Sequence, residues 1–326
     1  MKVFVAGGTG AIGKQLVLQL VDAGHEIVAT TRSAKGAEAV QELGAEPAIV
    51  DGLDERGMVE AVKRAGPEVV IHEMTALAGK ADLRHFDRMF AKTNELRTKG
   101  TDNLIRAARE AGARRLIVQS YAGWPTIREG AAVKTEDDPL DPNPPKWMRE
   151  SMAAFRHIQR TVPAAEGLEG LVLRYGGLYG PDTGMMSSEV LDMLRKRQFP
   201  IVGGGAGVWS FVHVADAASA TVAALENGAP GIYNVVDDDP APARAWIPYL
   251  AEVIGAKPPR RVPAWLGRIL AGEVPVTMMT SIRGSSNEKA KRELGWQPRY
   301  PSWREGFAAE AGAPAGQGKG TALKVS

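Results

Sequence analysis

The chain has no cysteine among its 326 residues. Disulfides, thiolate metal sites and a thiol nucleophile are therefore excluded. Long apolar runs are missing too, since no stretch reaches the roughly 18 residues that a membrane-spanning helix needs. An excess of one charge is absent. Lys and Arg number 40 against 38 Asp and Glu, a formal net charge of +2. That balance supplies no pull toward nucleic acid or an acidic membrane. The five histidines form no HxH or HExxH pattern, so no metal site is expected. The opening MKVFVAGGTG turns to glycine too early for a signal peptide. These absences leave a cytoplasmic enzyme acting on a small-molecule substrate as the expectation.

What is present is an alternation. Short apolar runs at Val3 to Ala6, Ile27 to Thr30, Ala48 to Val50, Val69 to Ile71, Leu116 to Gln119 and Leu171 to Arg174 read as strands, with a late one at Ile232 to Val236. Between them lie helical patterns, notably Ile12, Leu16 and Leu20, then Glu55 to Ala65 and Glu95 to Ala111. This order predicts an α/β fold, a Rossmann-type doubly wound parallel sheet with a smaller C-terminal substrate lobe. Residues 1–177 with 208–237 read as the nucleotide-binding domain, and 178–207 with 238–310 as the lobe. Residues 311–326, AGAPAGQGKGTALKVS, read as a disordered tail. Asp237 to Asp239 reads as a solvated turn.

GGTGAIG (7–13) stands between the first strand and the first helix. A phosphate at a helix N-terminus needs backbone N–H groups uncovered by side chains, and glycines at 7, 10 and 13 permit that approach. Gly7, Thr9, Gly10, Ala11, Ile12 and Gly13 are thus the expected cradle of a dinucleotide. The second strand ends in Thr30, Thr31 and Arg32, where a free ribose 2′-OH would call for Asp or Glu. Arg32 suits a 2′-phosphate by charge and fork geometry, so NADP is expected, with NAD as the alternative.

These segments resemble the extended short-chain dehydrogenase/reductase family, also called the NAD-dependent epimerase/dehydratase family. Beyond the glycine turn, the likeness is carried by DGLD (51–54), VVIHEMTA (69–76), Asn94 ahead of GTDNLI (100–105), LIVQS (116–120), LRYGGLYGP (173–181), FVHVADAA (211–218) and SNEKAKRELGWQP (286–298). The resemblance implies that Asp51, with Gly52 and Leu53, lies at the adenine. It also implies that Thr75 and Asn94 flank the cofactor and that Ser120 is the active-site hydroxyl. A homodimer through the helices after the fourth and fifth strands is common in the family.

The family's proton relay, a Tyr with a Lys four residues on, should lie in WMRESMAAFRHIQRTV (147–162). Two registers place it at Met148 and Met152, or at Ser151 and Phe155. Positions 148, 151, 152 and 155 share one helical face, so no register restores the pair. The Met148, Ser151, Met152 and Phe155 face is read either as core packing or as an apolar pocket wall. Tyr179 joins the pocket by its place in LRYGGLYGP, as a wall residue more than a catalytic one. Tyr121, beside Ser120, is one replacement proton donor, with packing as its other reading. His157 falls about 200° around the helix from Phe155 and should face away. The combined reading is an atypical reductase that moves hydride from NADPH to a small, partly apolar carbonyl or conjugated substrate. The alternatives are an epimerase, isomerase or lyase retaining its cofactor, or a non-catalytic dinucleotide sensor.

Overall fold

The structure is a computed structural model that describes residues 1–77 and 85–312. Seven parallel strands form the central sheet: β1 (Lys2–Ala6), β2 (Glu26–Thr31), β3 (Glu46–Ile49), β4 (Val69–His72), β5 (Arg115–Tyr121), β6 (Glu169–Tyr175) and β7 (Gly231–Val235). Their spatial order is β7–β6–β5–β4–β1–β2–β3. The direction of winding reverses between β1 and β4, and in open α/β sheets ligands collect at that crevice.

Register explains why the strands read as continuous apolar runs. Ala29, Val5, Ile71, Ile117 and Leu171 pair in one row across five strands. All five face the cluster under α1 (Ala11–Asp22) and a later helix at Val214–Ala223. The alternate residues Val28, Phe4, Val70 and Leu116 face the opposite cluster. That face is covered by α3 (Glu55–Ala65), α5 (Thr101–Ala111) and α6 (Arg149–Thr161). With both faces roofed, neither set of side chains can be polar. The α3 helix shows the local logic. Asp54 caps it by accepting from Gly57 N at 3.0 Å, and Gly66 ends it at φ 55°.

A third cluster fills the C-terminal part, where Trp246, Trp303, Phe211 and Phe307 are fully buried. A fourth joins the middle of the chain to its C-terminal part, since Val274 and Ile282 pack with Phe86, Trp124, Met148, Met152 and Phe155.

Three features differ from the sequence reading. The helix expected over Glu95 to Ala111 is instead α4 (Phe86–Glu95), a π-helical turn at Leu96–Gly100, and α5. Asp237 is not solvated. It is 1% exposed, and burial pushes its carboxyl up to about 8. The last helix runs from Trp303 to Gly312, into the segment expected as a disordered tail, whose residues 313–326 lie outside the described residues. Among the described residues no helix is long and apolar enough to cross a membrane, and no group of acidic or histidine side chains could hold a metal ion.

Candidate active site

The glycine turn is built by backbone geometry. Gly7 adopts φ 103°, and its N–H donates to Thr30 Oγ1 at 2.9 Å. A Cβ on Gly13 would stand 2.1 Å from Gly7 O, which ties the helix tightly to the turn. Gly10 is the N-cap of α1 and no side chain caps that end. The first-turn N–H groups, at Ala11 and Ile12, are therefore left for a ligand anion. A cavity of about 140 Å³ opens in front of the turn, lined by Gly7, Thr9, Gly10, Arg32, Asp51, Gly52 and Thr75. These residues come from four separate loops, and the donor set fits a dinucleotide. Asp51 accepts from Leu53 N at 2.9 Å, which shapes the loop after β3.

Asn94 is placed elsewhere. It is 8% exposed, donates to Ser151 Oγ at 3.0 Å and accepts from Arg97 Nη1 at 3.3 Å. It does not line the nucleotide cavity. The family motif sets its Asn three residues before Gly, and the residue three before Gly100 is Arg97. Arg97 lies in the π-turn and is 7% exposed.

Met148, just before α6, and Ser151, Met152 and Phe155 on it are all fully buried. Ser151 Oγ donates to Asp87 Oδ1 at 2.8 Å and so fastens α6 to α4. The other three belong to the cluster shared with Val274 and Ile282. The face carries neither a phenol nor an amine. His157 points outward to Asp102 at 2.7 Å. Tyr179 is buried among Phe211, Phe307 and His213, and His213 caps the Val214–Ala223 helix by accepting from Ala215 N.

Ser120 ends β5 and is 4% exposed, with no hydrogen-bond partner for its Oγ among the described residues. Tyr121 packs on Trp124 with ring centroids 5.7 Å apart, and burial pushes its phenol up to about 12. Nothing nearby lowers it, so Tyr121 is a poor acid in this position.

Sequence reasoning passed over Glu73. This residue follows β4 directly behind Gly7 and is 5% exposed. Its Oε1 lies 2.9 Å from Tyr175 Oη, which is 2.6 Å from Thr221 Oγ1, which donates to Ala217 O at 2.9 Å. Three contacts need three hydrogens, and the two hydroxyls carry only two. All three are satisfied together when the carboxyl holds the third. Burial pushes Glu73 up to about 8, against the pull of the Tyr175 hydroxyl, in agreement with that count. The signal in the sequence was an acidic residue inside the apolar run VVIHEMTA.

A parallel sheet with a glycine-rich cradle at its switch point defines a dinucleotide-binding Rossmann protein. The model of the NAD dependent epimerase/dehydratase family matches residues 3–235, and the chain belongs to that family. A 3-diazoavenalumate denitrifying reductase of a Streptomyces species is 44% identical over 95% of this chain and 100% of its own. A 4-hydroxy-2-methyl-3-oxo-4-farnesyl-3,4-dihydroquinoline-1-oxide ketoreductase of Stigmatella aurantiaca is 29% identical over 98% of each chain. Among solved structures, the UDP-glucose 4-epimerase of Thermus thermophilus in complex with NAD matches with TM-score 0.72 and 26% identity, over 95% of this chain and 98% of that one. With reductases at this similarity and an intact nucleotide cradle, the chain is an enzyme of NAD(P)-dependent oxidoreduction.

Proposed function

We propose that the protein is a reductase that delivers hydride from NADPH to a small, partly apolar, conjugated or carbonyl substrate without the family's Tyr–Lys proton relay. The observation that carries this reading is an intact nucleotide cradle beside an α6 face of Met148, Ser151, Met152 and Phe155. The cradle residues Gly7, Thr9 and Gly10 would hold the diphosphate, with the uncapped N-terminus of α1 behind them. Arg32, exposed at the cavity edge, would pair with a 2′-phosphate, which favours NADP over NAD. The bound dinucleotide would supply hydride. Ser120 Oγ would donate to or accept from the reacting group, since it has no partner among the described residues. Residues 1–177 with 208–237 would hold the cofactor, and 178–207 with 238–310 would close over the substrate.

Proton demand separates the substrate classes. A ketone that accepts hydride also needs a proton on oxygen. A diazonium group that accepts hydride leaves as N₂ with a C–H bond in its place, and no proton enters. The relative that is 44% identical is named for such a diazo substrate. The missing phenol and amine favour the same class here. The test is to follow NADPH oxidation with the purified protein across ketones, enones, quinones and an aryl diazonium salt, with N₂ release measured for the last. Binding of NADPH with no oxidation by any of them would sink the proposal.

A further inference from the structure

Arg97 is a buried cation without a counterion among the described residues. It leaves the π-turn between α4 and α5, points inward and is 7% exposed. Its guanidinium lies 4.3 Å over the Phe155 ring and 5.6 Å from that of Phe90. Among the described residues it makes one hydrogen bond, to Asn94 Oδ1 at 3.3 Å, and no ion pair. Arg174 is a second buried cation with no ion pair among the described residues, bonded to Gln159 Oε1 with its Nε unpartnered, whereas two others are fully matched. Arg115 has Glu169 at 2.7 Å and the carbonyls of Ala224, Asn227 and Gly228, and Lys134 has Asp138 at 3.1 Å. Those are structural cations with their hydrogens satisfied. A desolvated guanidinium left with one weak acceptor is costly, and stacking on an aromatic ring recovers only part of that cost. What its free edge matches is a carboxylate, taken by two parallel N–H bonds.

The surroundings narrow the ligand. Phe155 meets Trp124 at 5.3 Å, Trp124 meets Phe86 at 5.1 Å, and Phe86 meets Phe90 at 4.6 Å, which returns to Arg97. The cation therefore closes a ring of aromatic side chains. Trp124 also carries Tyr121 on its other flank. Ser120, which alternates with Leu116 and Val118 on the α6-covered face, adds the partnerless hydroxyl noted above. A guanidinium without a counterion among the described residues, set against aromatic rings, matches a conjugated aromatic acid.

We propose that Arg97 is the anion-recognition residue of the substrate site and that the natural substrate is an aromatic carboxylate whose ring lies against Trp124 and Tyr121. The identity of the site as the substrate end rests on the reductase reading above, while the recognition itself is testable by binding alone. Burial lowers the Arg97 guanidinium to about 9, which still leaves it charged near neutral pH.

The probes are cinnamate and its neutral analogue cinnamamide, titrated against the full chain by quenching of tryptophan fluorescence. Wild type is expected to prefer cinnamate by about tenfold or more, with the preference falling as salt rises. R97Q should lose that preference, and R97K should keep part of it, since a lysine retains the charge without the fork. NADPH affinity, measured on the same samples, should change by less than about twofold, as Arg97 lies outside the nucleotide cavity. Equal binding of cinnamate and cinnamamide by wild type overturns the proposal, as does undiminished cinnamate preference in R97Q. If R97Q does not fold, the wild-type preference decides alone. Loss of NADPH binding in wild type would instead count against the reductase reading.

Discussion

At Glu73 the hydrogen count and the electrostatics agree on a neutral carboxyl under the glycine turn. Its proton affinity in the folded chain, about 8 against an ordinary 4.5, has a defined consequence for stability. The folded state binds the proton more tightly than the unfolded one, so this contribution is full below 4.5 and is lost as pH rises toward 8. Asp237, raised to the same value, adds to the slope in the same direction. Urea unfolding across this range should show wild type weakening as pH rises and E73Q weakening less. Equal slopes would mean that Glu73 is ionised in the folded chain. Tyr121 and Ser120 give a second contrast. Y121F should keep NADPH oxidation within about threefold of wild type, because the phenol is too weak an acid to matter, whereas S120A should lose about tenfold or more in kcat. Arg32 gives a third, with R32A weakening NADPH about tenfold and leaving NADH unchanged in a fluorescence titration. The positions of Arg32 at a strand end and of Ser120 at the end of β5 were legible in the sequence. Glu73 and Arg97 were not. Each lies in a run that looks apolar or helical, and only the fold reveals that a charge-bearing side chain turns inward there.

At the scale of elements, α1 and the α4–α5 joint carry the site in opposite ways. The helix α1 is fixed by a clash rule, since any side chain at Gly13 meets the carbonyl of Gly7 at 2.1 Å. Gly13→Ala should abolish the NADPH fluorescence change and lower the melting temperature together, because turn and helix cannot separate independently. Helix and strand periods made α1, α3 and the sheet strands readable, and Glu55–Ala65 appears with the same ends. The π-turn at Leu96–Gly100 was unreadable, because its period departs from that of an α-helix by a single residue and leaves no mark in the hydrophobic pattern. Asn94, expected beside the cofactor, donates to Ser151 and is absent from the lining of the cavity in front of the glycine turn.

At the scale of the molecule, one apolar cluster ties the sheet half to the C-terminal elements. Val274 and Ile282 are distant in sequence from Phe86 and Trp124, yet pack with them around Met148 and Met152. Thermal unfolding should therefore be a single transition, seen equally by far-UV and tryptophan signals. Ile282→Ala should lower the stability of both parts together, by about 2–4 kcal/mol. Two separated transitions would show that the parts fold independently. The α/β class and parallel sheet were legible from alternation alone. The joint was not, since a contact between distant segments has no local period. The outer sides of α4 and α6 border a groove lined by Ala91, Glu95, Ala153 and His157.

The carboxyl behind the glycine turn has a spectroscopic use. A neutral carboxylic acid has a carbonyl stretch well separated from the paired bands of a carboxylate and from the backbone amides. Difference infrared spectra of wild type against E73Q would isolate that one vibration, without any label. Its frequency would then report, as dinucleotide is added, how the floor of the cradle responds to the arrival of a diphosphate above it.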